Sequence, residues 1–254
     1  MNMSTGNVIT PVLVGRAPDV DKSTFLWGMQ AGQTVDSPSI IWVISGSWGT
    51  LLMDTGSGEP DWVSAHHRPF LRSPDQQPAL ALDAAGVDAA AIETILLSHL
   101  HYDHCSNNDL FPRARFVAHR SEVAYASDPF PVHAEVYEAT SAGYTPPWSN
   151  TASRIDAVDG DVELAPGVQA IHLPGHAPGL MGLVVQGETR RYVLVGDHCS
   201  LLENWEGVGG HRHVPSRTYV NLADYYRSYE KVERLDATVL PGHDIRVMDQ
   251  VRYR

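Results

Sequence analysis

Cysteine is nearly absent from this chain: 254 residues contain two, Cys105 and Cys199. That count does not suggest a disulfide framework and fits a reducing compartment. Positive charge is also scarce. Eighteen Lys and Arg stand against 30 Asp and Glu, a formal net charge of −12, and the cations form no cluster. A protein that neutralises a phosphate backbone needs such a patch, so no nucleic acid is expected as a partner. No apolar run approaches the roughly 20 residues that span a bilayer. The segment Met1 to Thr10 lacks the basic-then-apolar pattern of a secretory signal. No membrane association and a cytoplasmic location are therefore expected. Linkers, low-complexity tracts and short repeats are missing too. Hydrophobic residues make up 43%, enough for a sizeable core, and one domain over 1–254 is the reading. No Ser-His-Asp or Cys-His nucleophile arrangement stands out, and neither Gly-rich segment fits a phosphate-cradling or dinucleotide loop.

Histidine is what the chain has. Ser98-His99-Leu100-His101-Tyr102-Asp103-His104 follows an apolar run, Ile92 to Leu97, that reads as a buried strand. Imidazole nitrogen and carboxylate oxygen are ligands that borderline divalent metals accept. In an extended strand end His99 and His101 share a face. Three further candidates follow at turn-rich strand ends. His176 lies in Leu173-Pro174-Gly175-His176-Ala177-Pro178-Gly179. Asp197 ends the run Tyr192 to Gly196, and His243 lies in Leu240-Pro241-Gly242-His243-Asp244. Each couples a short apolar strand to a glycine that turns the backbone sharply.

With these residues in this order, the chain resembles the metallo-β-lactamase superfamily of hydrolases. The family's His-x-His-x-Asp-His motif is matched by His99, His101, Asp103 and His104, and its later ligands by His176, Asp197 and His243. The resemblance extends from Leu52-Met53-Asp54-Thr55-Gly56 to His243. It implies an α/β fold, a four-layer αββα sandwich with a dinuclear metal site at the sheet edge. It also implies that His99, His101 and His176 hold one metal, that Asp103, His104 and His243 hold a second, and that Asp197 bridges them. The metals would be two divalent ions, Zn²⁺ first, with Mn²⁺, Fe²⁺ or Co²⁺ as alternatives. Asp54 is either a residue that orients a ligand or an acidic turn residue.

Among superfamily members the N-acyl-homoserine lactonases and the pyridoxolactonases are the most similar, through the three histidine motifs and a helix leading to the last histidine. His119-Arg120-Ser121-Glu122-Val123 resembles the pyridoxolactonase side. The implied activity is hydrolysis of a lactone by a hydroxide that bridges the metals, with Asp103 as the catalytic proton shuttle. One position departs from the pattern. Those lactonases place a Tyr three residues after the bridging Asp, and here Ser200 stands there. Tyr102, Ser200, His198, His211 and His213 are the candidates for substrate contact. Another ester, a cyclic amide or a thioester is the alternative substrate, and a non-catalytic metal-binding protein the alternative class. The partner expected is a small molecule; oligomeric state is left open, a homodimer among the options. His66, His67, His133 and His172 read as surface or satisfied core groups, and Cys105 as a small buried filler.

Strands are expected at Val8–Val14, Ser39–Ser45, Thr50–Asp54, 92–97, Arg115–His119, Arg154–Val158, Val162–Leu164, Val168–Leu173, Met181–Gln186, Arg191–Gly196 and Ala237–Leu240. Ala79–Ala85 reads as a helix stopped by Gly86. Asn221–Leu235 reads as a second, with a 3.6-residue apolar stripe and Asn221 as its N-cap. Ser121–Tyr144 reads as a helix broken by loops, and Leu201–Thr218 as a loop that rims the site.

Overall fold

The structure is a computed structural model and describes residues 6–254, so the first half of the polar Met1–Thr10 segment lies outside it. Short runs of consecutive apolar residues dictate strands that bury both faces. In chain order they are β1 (Val8–Asp21), β2 (Thr34–Gly46), β3 (Gly49–Met53), β4 (Thr94–Leu96), β5 (Arg115–His119), β6 (Ile155–Val158), β7 (Val162–Ala165), β8 (Val168–His172), β9 (Met181–Gln186), β10 (Arg191–Leu194) and β11 (Thr238–Leu240). The α-helices are α1 (Pro60–His66), α2 (Pro78–Ala84), α3 (Tyr102–Cys105), α4 (Arg120–Ser127), α5 (Leu202–Glu206) and α6 (Leu222–Glu233). The strands form two sheets, ordered β1-β2-β3-β4-β5-β6 and β11-β10-β9-β8-β7.

Period two sorts the side chains into layers. Ile40, Trp42 and Ile44 of β2 meet Met181, Leu183 and Val185 of β9 in the core between the sheets. The intervening Ile41 and Val43 face the other way, packing with Leu82 of α2 and Ala126 of α4. On the second sheet Val184 and Val193 point outward against Tyr225, Tyr229 and Val232 of α6. The order is helix, sheet, sheet, helix, the four-layer sandwich expected from the resemblance. A one-residue slip in any of these strands would exchange two buried sets, so the register is tightly specified. Among the described residues no helix is long and apolar enough to cross a membrane.

Several elements differ from the sequence reading. β1 continues to Asp21, past Gly15 and Pro18, because register shifts after Leu13 and Ala17 absorb the irregular residues. The strand expected at 92–97 keeps only Thr94–Leu96, and Ala89–Ala91 forms a 3₁₀ turn with Asp88 accepting from the Ala90 N–H. Tyr102–Cys105 coils into a helical turn just after the strand end that carries His99 and His101. The 201–218 segment holds α5. Asn204 organises it: its Oδ1 accepts from Leu201 N, and its Nδ2 donates to Phe25 O and Val214 O. By contrast α6 lies as expected, with Asn221 accepting from Asp224 N.

Candidate metal centre

Strand ends deliver every candidate ligand to one edge of the sandwich. The 98–104 segment leaves β4, His176 follows β8, Asp197 follows β10 and His243 follows β11. The turns that place them are steric as well as conformational. A Cβ at Gly242 would sit 2.9 Å from the Gly196 backbone and 3.1 Å from Asp197 Oδ1. At Gly175, where φ is +144°, it would strike the Tyr225 backbone N at 2.7 Å. Larger residues at either point would push a ligand loop out of place.

The donor atoms converge in three overlapping groups: His99, His101 and His176; His99, His104 and Asp197; Asp103, His104 and His243, each within 4.8 Å. All are buried except Asp103, which is part-exposed. Backing contacts fix which ring nitrogen faces inward. His176 Nδ1 donates to Thr218 O at 2.9 Å, and His243 Nδ1 to Pro38 O at 2.9 Å. His104 Nδ1 donates to Asp54 Oδ2 at 2.8 Å. The opposite nitrogens point at carboxylate oxygens: His243 Nε2 lies 2.9 Å from Asp197 Oδ1 and 3.7 Å from Asp103 Oδ2. His104 Nε2 lies 3.2 Å from Asp197 Oδ1.

This donor set fits divalent metal. His99 Nε2, His104 Nε2 and Asp197 Oδ1 are buried polar atoms without a hydrogen-bond partner, a costly state unless a cation satisfies them. His101 Nδ1 and His176 Nε2 approach to 3.3 Å, and the latter's proton is already committed on the far nitrogen. Imidazole nitrogens and carboxylates arranged this way could hold a metal ion, with several of their outer atoms tied down.

Electrostatics differ across the cluster. Burial, reinforced by neighbouring imidazoles, holds His99, His101 and His176 below the usual histidine range. For His104 burial also opposes protonation, but Asp103, Asp54 and Asp197 outweigh it and raise the group. His243 is raised against burial by Asp197 and Asp103. Burial alone would push Asp197 up; His243 and His104 hold it well down, as a carboxylate.

Two supports behind the ligands stand out. Asp54, in the left-handed region at φ +64°, accepts from Ser98 N at 2.7 Å and Ser98 Oγ at 2.8 Å besides His104. Of the two roles considered for it, the contacts are those of a residue that orients a ligand. Glu122 was not foreseen in any site role. Fully buried on α4, it accepts from Leu100 N at 3.0 Å, Tyr137 Oη at 2.8 Å and Gly179 N at 3.1 Å. It thereby ties the loop of His99 and His101 to the loop of His176. Its signal in the sequence was only an acid in an otherwise mixed helix.

Of the five residues considered for substrate contact, Tyr102 and Ser200 line the cleft over the donor cluster, with Ser37, Arg68, Ser216 and Thr218. The other three lie elsewhere. His198 is buried between Tyr225 and Tyr229. His213 Nδ1 donates to Trp205 O, its Nε2 pairs with Glu233 Oε1, and its ring stacks on Tyr229. His211 is exposed on a separate recess with Trp27 and Tyr226. Adjacency in sequence misled here, because α5 and the Asn204 contacts turn the 207–213 loop toward α6. Among the remaining histidines, His67 stacks on Tyr102 at 3.6 Å and bonds Glu138, and His133 bonds Tyr125. Both cysteines are free and buried.

Residues 35–243 match the family model described as Metallo-beta-lactamase superfamily. The chain is 29% identical over 232 residues to N-acyl homoserine lactonase AiiB of Agrobacterium fabrum (strain C58 / ATCC 33970), covering 84% of this chain and 82% of that protein. It is 27% identical over 240 residues to an N-acyl homoserine lactonase of Bacillus sp, covering 89% of each. Among solved structures, an N-acyl homoserine lactone hydrolase with the product N-hexanoyl-L-homoserine bound at its catalytic metal center superposes with a TM-score of 0.78 at 22% identity, over 96% of each chain. AidC, described as a dizinc quorum-quenching lactonase, superposes with a TM-score of 0.70 at 18% identity, over 96% of this chain and 90% of that one. These likenesses establish the fold.

Proposed function

The chain belongs to the metallo-beta-lactamase superfamily, and from that premise we propose that it is a metal-dependent hydrolase that opens a lactone ring. The supporting observation is the donor cluster: seven side chains gathered at one edge, with His176, His243 and His104 backed by Thr218 O, Pro38 O and Asp54, and with His99 Nε2, His104 Nε2 and Asp197 Oδ1 left without a hydrogen-bond partner. His99, His101 and His176 would hold one divalent ion, Asp103, His104 and His243 a second, with Asp197 between them; zinc suits these donors, as do manganese, iron and cobalt. Ions held there supply Lewis acidity to a carbonyl and acidify a water. Hydrolysis adds that water across the acyl C–O bond, giving a carboxylate and an alcohol.

The chain's own residues divide the remaining work. Asp103 is the ligand with a part-exposed carboxylate on the cleft wall, so it moves the proton to the departing ring oxygen. Tyr102 faces the same cleft. Burial, then the Asp103 charge, pushes its phenol far up, so its hydroxyl remains a donor for the substrate carbonyl. That replaces the contact Ser200 is too short to make. Ser200 also favours a second reading, hydrolysis of another ester or a thioester, because a smaller side chain reshapes the floor of the cleft.

The test is turnover by zinc-loaded and chelator-treated protein, with metal content measured in parallel. The panel holds acyl-homoserine lactones, aromatic lactones, aryl esters, a thioester and a phosphodiester. Metal-dependent lactone opening is the expected result. Turnover of an ester or thioester alone would select the second reading. Bound metal without turnover of any member would leave a non-catalytic metal-binding protein.

A further inference from the structure

Most arginines here are spoken for. Arg72 donates to Val14 O at 2.7 Å and Ser57 O at 2.6 Å, and Arg246 binds Asp244 and Glu203. Arg113, Arg115, Arg120 and Arg234 each hold a carboxylate. Arg68 is different. It follows α1, its backbone N–H donates to Val63 O at 3.2 Å, and its side chain is half-buried. Among the described residues its guanidinium has no hydrogen-bond or ion-pair partner. Yet it lines the cleft over the donor cluster and the recess that adjoins it, together with Ser37, Tyr102, Asp103 and His243.

The neighbouring acids are already engaged. Glu138 accepts from Trp62 Nε1 at 2.7 Å and pairs with His67 at 2.9 Å. Asp103 turns its oxygens toward His104 and His243. The Arg68 charge still reaches the cleft wall, since it opposes the burial and the Asp103 charge that hold the Tyr102 phenol up. A guanidinium with five donors in a planar fork is built to bind a carboxylate in two-point fashion. In a protein of net charge −12, an anionic substrate is repelled by the general field, and an unengaged cation at the cleft offsets this locally. The hydroxyls of Thr24, Ser37, Ser216 and Thr218 on the same walls suit a polar guest.

We propose that Arg68 is a specificity-determining residue that binds an anionic substituent, a carboxylate by preference, on the lactone this site opens. The inference rests on the lactonase reading for the identity of the ring and on Arg68 itself for the charge.

The experiment uses the zinc-loaded protein and two matched pairs of probes. One pair is the benzo-fused lactone phthalide bearing either a ring carboxylate or a neutral carboxamide. The other is the corresponding cyclic ether, which cannot be hydrolysed, with the same two substituents; its binding is measured by calorimetry. The expected kcat/KM ratio, carboxylate over carboxamide, is about tenfold or more, and the ether Kd values follow it. Arg68→Met erases both ratios, Arg68→Lys keeps part of them, and Arg190→Gln, the same charge change on the exposed β9–β10 turn, leaves them unchanged. Lactone opening with no preference for the carboxylate, or equal weakening of both members by Arg68→Met, overturns the inference and leaves the lactonase reading intact. Arg68-dependent binding of the ether carboxylate without any lactone opening upholds the role of Arg68 and overturns the lactonase reading. Ethers that bind alike in the parent protein overturn the inference whatever the turnover.

Discussion

The two halves of the donor cluster are built on opposite electrostatic plans. His99, His101 and His176 form an all-imidazole half whose rings burial keeps neutral. His104 and His243 sit with Asp103, and Asp54 stands behind His104, so that half is rich in carboxylate. The imidazole half is held from behind by backbone and by Glu122, the carboxylate half by Asp54. Neutral ligands bind metal without first losing a proton. Carboxylates bring the negative charge that two cations in close quarters need. One cluster thus combines two ways of making a metal site affordable in a buried place.

Asp197 joins the halves, so removing it breaks the contrast most completely. Asp197→Ala is expected to lose more than the roughly 100-fold in activity that supporting residues are worth, with metal content falling in both halves by elemental analysis. Retained stoichiometric metal and near-parent turnover would remove its bridging place. Asp54→Asn comes next and acts first on the carboxylate half, through His104. It keeps the shape but weakens the acceptor for His104, so metal affinity and activity should fall about 10–100-fold; chelator competition would show whether the weaker of two binding steps is the one affected. Glu122→Gln perturbs the imidazole half. An amide offers one acceptor oxygen in place of two, so Leu100 N, Tyr137 Oη and Gly179 N cannot all be satisfied. A loss of about 1–3 kcal/mol in stability is expected, read as a lower melting temperature, with activity falling less than for Asp54→Asn.

The smallest effect is a pH dependence. His119 caps α4, the helix of Glu122: its Nδ1 accepts from Ser121 N at 3.2 Å, and its Nε2 lies 3.1 Å from Gly160 N. Burial and the stacked His172 lower its pKa. Because the folded value lies below the unfolded one, this contribution is present above pH ~6.5 and is lost as pH falls through the folded pKa. His119→Asn should therefore flatten part of the acid side of the melting-temperature profile. An unchanged profile would show that the cap does not titrate in this window.

The convergence of the donor residues was legible because metal chemistry restricts candidate ligands to a few residue types at short spacings, each beside an apolar strand and a turn. β3, β9 and the Ser39–Ser45 part of β2 were legible from short runs of apolar residues, and α6 from its stripe and Asn221. The rest depended on contacts distant in sequence. β1 hid half its length behind two register shifts. Asp54 acquires its meaning 44 residues away, at Ser98. Glu122 looks unremarkable until Leu100 and Gly179 are folded against it. His198, His211 and His213 looked like site residues because they follow Asp197 closely, but Tyr225, Tyr229 and Glu233 of α6 engage His198 and His213, and His211 is exposed on a separate recess.

The two cysteines offer a way to watch this architecture open. Cys105 adjoins His104 and donates to His101 O at 3.3 Å, and Cys199 lies two residues past Asp197. Burial drives both thiols well up, so neither reacts while the fold is closed. An alkylating reagent can modify them only when the surrounding segment detaches. The labelling rate at each position, followed by mass spectrometry, then reports how often that flank of the centre breathes. Adding metal should slow both clocks, and by unequal amounts if the two flanks open independently.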